Sequence, residues 1–235
     1  MIGPASEPGQ LPLALRFPPD QRLDTFVSTD ASVIAALIAL AQPGDPRRLY
    51  VAGGTGSGKT HLAIAACAQA TERGFEAAYV PLQAAAGRVM DALQGMERHG
   101  LVALDGLDAV AGQRDSEIAL FDFHNRMHDA GGALLYTARD WPDALGLSLP
   151  DLVSRLAQCT RIALAPLDDA GRAQMLRVRA ARRGLQLDEA AIDWLLRRVG
   201  RDPAGLAQIF ERLDRAALAA QRGLTVPFLR KVLGE

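Results

Sequence analysis

RLYVAGGTGSGKTHLAIAACAQA, residues 48–70, joins three signals that are weak apart and strong together. Leu49 to Ala52 form an apolar run closed by glycine, the pattern of a strand buried on both faces. Gly53 to Thr60 satisfies G-x-x-x-x-G-K-[ST], and an alanine-rich run of helical composition follows it. The order matters. Glycines let successive backbone N–H groups converge, and the first turn of the next helix adds its positive end, so a phosphate chain meets a ready nest of donors. In such a nest Lys59 reaches the β and γ phosphates and the Thr60 hydroxyl ligates magnesium. Gly53, Gly54, Thr55, Gly56, Ser57, Gly58, Lys59, Thr60 and His61 are therefore the candidate residues for binding ADP or ATP with magnesium. Lys59 is one of only two lysines among 26 basic residues, which makes its place in the loop conspicuous.

Outward from this segment, apolar runs alternate with helical stretches at the spacing of βαβ units. EAAYVPL (76–82), LVALD (101–105), ALLYTA (133–138) and RIALA (161–165) join RLYVAG (48–53) as the strands of an α/β fold, a five-stranded parallel sheet covered on both faces. LVALD ends in Asp105, the Walker B pattern, and places a magnesium-side acid on a strand expected to neighbour the loop-bearing one. Many P-loop ATPases hold a second acid at the next position. Here Gly106 stands there and Asp108 follows, which predicts weak or absent intrinsic ATPase activity. ASVIAALIALA (31–41) reads as a helix stopped by Pro43 and Gly44.

After Pro166 the strand signal vanishes. Helical segments at 168–183, 188–199 and 202–222 are followed by Gly184, Gly200 and Gly223, residues suited to a left-handed helix end. A last helix starts at Thr225, whose hydroxyl is expected to cap it, with Pro227 in the first turn. Residues 1–22 hold five of the 13 prolines and predict an extended tail. The expected division is thus a tail (1–22), a nucleotide-binding α/β domain (23–165) and a small all-helical unit (166–235).

Composition narrows the function. Hydrophobic residues at 49% and charged residues at 23% exclude a wholly disordered chain. With 26 basic against 27 acidic residues, nothing pulls the whole protein toward nucleic-acid backbones or anionic lipid. Cys67 and Cys159 form no CxxC pair, so buried, inert thiols in a reducing cytoplasm are expected. No leader is evident, nor any run of about 20 apolar residues that a membrane span requires.

The P-loop, the Walker B strand, Thr137 closing a further strand in LLYTARD, the segment Ser154-Arg155-Leu156 and the helical unit together resemble the AAA+ ATPases of the DnaA branch over nearly the whole chain. YVPL, LPDLVSRL, LDRA and AQRGLTVPF are similar, within that branch, to the DnaA regulatory inactivators, which lack the initiator's DNA-binding domain. The resemblance implies a P-loop AAA+ domain followed by a helical lid, with Thr137 as sensor 1. It also implies that Arg155 is an arginine finger acting in trans, a role worth about 10³ to 10⁵ in rate. The lid helix of this branch starts with a sensor 2 arginine; the matching position here is Ala204, and Arg201 is out of phase with it. Gln10-Leu11-Pro12-Leu13-Ala14-Leu15 is similar to the QLxLxL peptide that binds the DNA sliding clamp, with Leu11, Leu13 and Leu15 filling an apolar pocket while Gln10 fixes register. The implied protein is a cytoplasmic negative regulator of replication initiation. It would dock on the clamp, stimulate ATP hydrolysis by the DnaA initiator, assemble as a homo-oligomer such as a dimer, and make no direct sequence-specific DNA contact.

Plainer readings stand beside these. In an arginine-rich chain Arg155 can be a surface residue paired with an acid such as Asp151. The tail hexamer can be an apolar stretch docked on its own domain. An active ATPase of the helicase-loader or transposition-helper type is the functional alternative, and a small-molecule kinase would leave the tail and the SRL segment unexplained. His124 and His128 sit four apart but lack a third ligand, so no metal is expected there. The arginine run LRVRAARRG (176–184) reads as a solvated helix face.

Overall fold

Five strands run parallel in the order β2-β3-β4-β1-β5. The computed structural model describes residues 17, 20–28, 30–42, 44, 46–198, 203–220 and 222–234. In chain order the elements are α1 (Ala31–Leu40), β1 (Arg48–Gly53), α2 (Lys59–Glu72), β2 (Ala77–Pro81), α3 (Leu82–Ala85), α4 (Val89–Ala92), β3 (Leu101–Asp105), α5 (Arg114–Asp129), β4 (Ala133–Ala138), α6 (Pro150–Ala157) and β5 (Thr160–Leu164). The helices α7 (Asp169–Arg182), α8 (Glu189–Arg198), α9 (Pro203–Ala220) and α10 (Val226–Leu233) complete it.

Strand alternation sorts the side chains into two cores. Leu49, Val51, Leu101, Ala103, Ala133 and Leu135 face α1 and α2. Tyr50, Ala52, Val102, Leu104, Leu134 and Tyr136 face the layer of α3 to α6. The expected cover on both faces fails at β5, an edge strand that buries only Ile162 and Leu164. Helix α2 is buried from Leu62 to Ala68, and its alanines allow this because a small side chain lets a helix lie close to the sheet and to α1 together.

One neighbour relation differs from expectation. Strand β3 does not lie beside β1; β4 separates them, pairing with both. Asp105 therefore sits across Thr137 from the loop-bearing strand, and that single insertion governs the site described below.

A third core joins α7 to α10 through Leu176, Ile192, Leu195, Phe210, Leu213 and Leu229. Gly184 ends α7 with φ +64 as expected, whereas Gly223 is not in the left-handed region and Gly200 lies outside the described residues. Thr225 occupies the N-cap of α10 without a side-chain cap bond. Pro227 removes one of the two N–H groups a cap could accept from, since a cap uses the second or third helical N–H and proline at the second place has none.

Asp20 to Ser28 form a strap between the core and the helical unit. Leu23 is buried beneath α1 and α2, Arg22 pairs with Glu72 of α2, Asp24 pairs with Arg182 of α7, and Asp20 pairs with Arg183 just past it. The arginine run is accordingly not a solvated face throughout. Arg183 also meets Glu211 and Asp214 of α9, and the Arg179 side chain is only 16% exposed. Among the described residues no helix is long and apolar enough to cross a membrane.

Candidate nucleotide site and arginine finger

A cavity of about 280 Å³ opens where the loop after β1, the strap and α7 meet. Gly56 to His61 make its polar floor; Phe26 and Val27 from the strap, with Leu167 and Met175, make an apolar wall. Phosphates suit the floor and a flat base the wall. Gly58 is required twice over: its φ is +95, and a Cβ there would stand 2.5 Å from the Phe26 ring.

Lys59 Nζ donates to the carbonyls of Gly53 (2.6 Å) and Gly54 (2.9 Å). Burial lowers its pKa, against the opposing pull of Asp108 and Asp105. Asp105 accepts three hydroxyls. Thr60 Oγ1 (2.7 Å) and Tyr79 OH (2.9 Å) share Oδ2, and Thr137 Oγ1 donates to Oδ1. Thr137 is fully buried and accepts from the Gly106 N–H at 2.9 Å, so in this state it positions Asp105 instead of projecting into the cavity. Tyr79 escaped the sequence reading because a tyrosine in a strand looks like core; burial raises its pKa and keeps it a donor.

Thr60 and Asp105, joined by that hydrogen bond, are the residues that could hold a magnesium ion arriving with the nucleotide. No group of three His, Cys, Asp or Glu converges among the described residues, so phosphate oxygens and water would complete the shell. Gly106 has φ +83, a conformation that resists a side chain. Asp108 accepts the Arg139 N–H at 2.9 Å and so ties the turn after β3 to the end of β4. His61 lines the cavity, but its Nε2–H donates to the Arg22 carbonyl (2.8 Å) and its ring meets Phe26 edge-on. It fastens the strap, and burial keeps its pKa low. Arg179 reaches the same cavity from α7 with Glu211 3.9 Å away, a contact the sequence reading missed.

Domain III of the replication initiation protein DnaA from Thermotoga maritima matches this fold at a TM-score of 0.78 and 20% identity, over 92% of this chain and 97% of that one. Residues 169–233 match the family model described as Hda, lid domain. The chain thus has the fold of DnaA domain III, and its C-terminal helices match an Hda lid domain. AMPPCP-bound DnaA from Aquifex aeolicus (TM-score 0.64, 22% identity, 88% of this chain and 71% of that one) has the same fold. So does the Holliday junction branch migration motor RuvB of T. maritima (0.65, 18%, 91% and 71%).

Arg155 lies in the last turn of α6 and is exposed. Its guanidinium has no hydrogen bond or ion pair among the described residues, so the pairing with Asp151 is not formed. Glu117, which the sequence reading passed over, sets the start of α6. Fully buried, it accepts from the N–H groups of Gly112 (2.7 Å), Ser148 (2.8 Å) and Leu149 (2.7 Å) and from the Ser148 hydroxyl (2.8 Å). Burial raises its pKa, but these bonds outweigh it and leave the carboxyl below its ordinary value. Both thiols are free and buried, which pushes Cys67 up to about 12 and Cys159 to about 11. Gln10, Leu11, Leu13 and Leu15 lie outside the described residues, as do Arg201 and the Ala204 side chain.

Proposed function

We propose that this protein is a negative regulator of replication initiation. It binds ADP or ATP with magnesium at Gly53 to Thr60 and Asp105, docks on the sliding clamp through Gln10, Leu11, Leu13 and Leu15, and presents Arg155 to ATP held by DnaA. The observation that carries the reading is the exposed guanidinium of Arg155, without a partner among the described residues, at the end of a helix whose start is pinned by Glu117. A planar fork of donors can straddle two oxygens of the γ-phosphoryl group as charge develops there. In the partner, water forms the new bond to phosphorus while the bond to the β-phosphate oxygen breaks, giving ADP and inorganic phosphate. Fingers supplied in this way are worth about 10³ to 10⁵ in rate, about 4 to 7 kcal/mol.

Its own nucleotide serves shape and assembly in this reading, with weak intrinsic turnover and a dimer as the resting state. The glycine at 106 supports that assignment, because no acid stands beside Asp105 to orient water. The alternative, an active ATPase of the helicase-loader or transposition-helper type, draws support from the intact Lys59, Thr60 and Asp105 arrangement. One assay divides them. ADP release from ATP-loaded DnaA, with clamp on DNA, is measured for wild type, Arg155→Ala and the Gln10→Ala, Leu11→Ala pair. Loss in both variants is expected; undiminished stimulation by both overturns the regulator reading.

A further inference from the structure

A second cavity, of about 250 Å³, opens beside Arg155, between the start of β1, the C-terminal half of α5 and the start of β5. It shares no lining residue with the P-loop cavity. Arg48, His124, His128, Gln158 and Thr160 line it together with Arg155, and none of its lining residues carries a carboxylate.

Arg48 is the unexpected member. It is half-buried, donates from Nη1 to the Pro46 carbonyl (2.6 Å) and sets Nη2 3.0 Å from His128 Nδ1. Its Nε is buried without a hydrogen-bond partner. No acid pairs with Arg48 or with Arg155 among the described residues. Guanidinium groups withdrawn from water ordinarily face a carboxylate, because an uncompensated charge is costly to bury. The half-buried Arg48 and the exposed Arg155 on one cavity leave an electropositive surface with no acid paired to it among the described residues. His124, buried and bonded to the Tyr136 hydroxyl at 3.0 Å, senses that surface: burial first, then the charges of Arg48 and Arg155, hold it down to about 4 and neutral at physiological pH.

We propose that this cavity is an oxyanion site, in which Arg48 acts beside Arg155 on the terminal phosphate of a nucleoside triphosphate held by the neighbouring AAA+ protein. The assignment rests on the reading of Arg155 as a finger in trans and extends it by a second cation and a pocket. A terminal phosphoryl group offers three oxygens, more than one arginine fork can cover, and a second fork fixed at the base of β1 meets those left over. The volume is several times the roughly 30 Å³ share of a liquid water, so the group enters with part of its hydration. His128 is a positioning residue here, holding the Arg48 fork from the exposed end of α5.

The test compares Arg48→Gln, Arg48→Lys, His128→Ala and Arg155→Ala with wild type. It records hydrolysis by ATP-loaded DnaA with clamp on DNA, together with each protein's own ADP affinity and melting temperature. Arg48→Gln is expected to lower the saturating rate about a hundredfold to a thousandfold, as loss of one preorganised transition-state donor does. Arg48→Lys, which keeps the charge but not the fork, recovers only a minor part of it, and ADP affinity does not change. If Arg48→Gln melts early, His128→Ala decides, with an expected loss of about fivefold from a loosened fork. Arg155→Ala without activity beside Arg48→Gln and His128→Ala at the wild-type rate overturns this proposal and leaves the finger standing. Arg155→Ala at the wild-type rate overturns both. Calorimetry with inorganic phosphate separates the two sources of the anion. Free phosphate bound by the ADP-saturated protein and lost in Arg48→Gln, with no rate loss in the Arg48 variants, marks a site for the free ion and also overturns the assignment.

Discussion

The P-loop cavity and the cavity beside Arg155 handle charge in opposite ways. In the first, each key group is engaged within the chain: Lys59 with two carbonyls, Asp105 with three hydroxyls. In the second, two arginines face a space with no acid. A ligand entering the first exchanges one set of hydrogen bonds for another. A ligand entering the second relieves an unmatched field. The first arrangement suits a group the protein keeps; the second suits one that belongs to something else.

The comparison can be broken at several points. The largest effect is expected from Arg155→Ala, which should remove about 4 to 7 kcal/mol of transition-state stabilisation from the partner's reaction. Single-turnover hydrolysis by DnaA measures it, and the variant's own ADP affinity should not move. Lys59→Ala strikes the other region. Loss of a charge-assisted contact should weaken nucleotide binding by about 1.5 to 3 kcal/mol, read by titration with a fluorescent ADP analogue. If both variants lose both properties, the two cavities are not independent.

Glu117→Gln sharpens the outward half. An amide cannot accept all four donors that the carboxylate accepts, and each orphaned buried donor costs about 1 to 3 kcal/mol. Stimulation of DnaA should fall with the loosened α6 while ADP affinity holds. The pH dependence carries a sign. Because the folded-state pKa of Glu117 is depressed, its stabilisation is complete above the ordinary glutamate value and is lost as pH falls through the lower folded one. Urea melts between about pH 6 and pH 3 should slope less steeply in Glu117→Gln. The smallest change belongs to Tyr79→Phe. Removing one of three hydroxyls from Asp105 should cost about 0.5 to 1.5 kcal/mol in urea melts and shift ADP affinity only slightly.

The strands and the phosphate loop were legible because their signals are local: apolar runs closed by turns, and four fixed positions within eight residues. Non-local relations were not. Nothing in LVALD says that β4 lies between it and RLYVAG, since strand order depends on how crossovers stack. Glu117 reads as an ordinary polar residue of an amphipathic helix, and its partners Ser148 and Leu149 come about thirty residues later in the chain. Arg179 and Arg183 share a run with Arg177 and Arg182, and only the packing of α7 against α9 and the strap turns that pair inward. Thr225 shows a local rule weakened by a local feature, since the proline that marks the helix start removes one of the N–H groups the cap would accept from.

Gly106 opens a route for engineering. Its turn needs glycine because of φ and not because of crowding, for no atom lies within 4 Å of where a Cβ would sit. A glutamate placed there meets a backbone penalty of about 1 to 2 kcal/mol and no wall. The second acid that a self-hydrolysing motor would use is thus a single codon away.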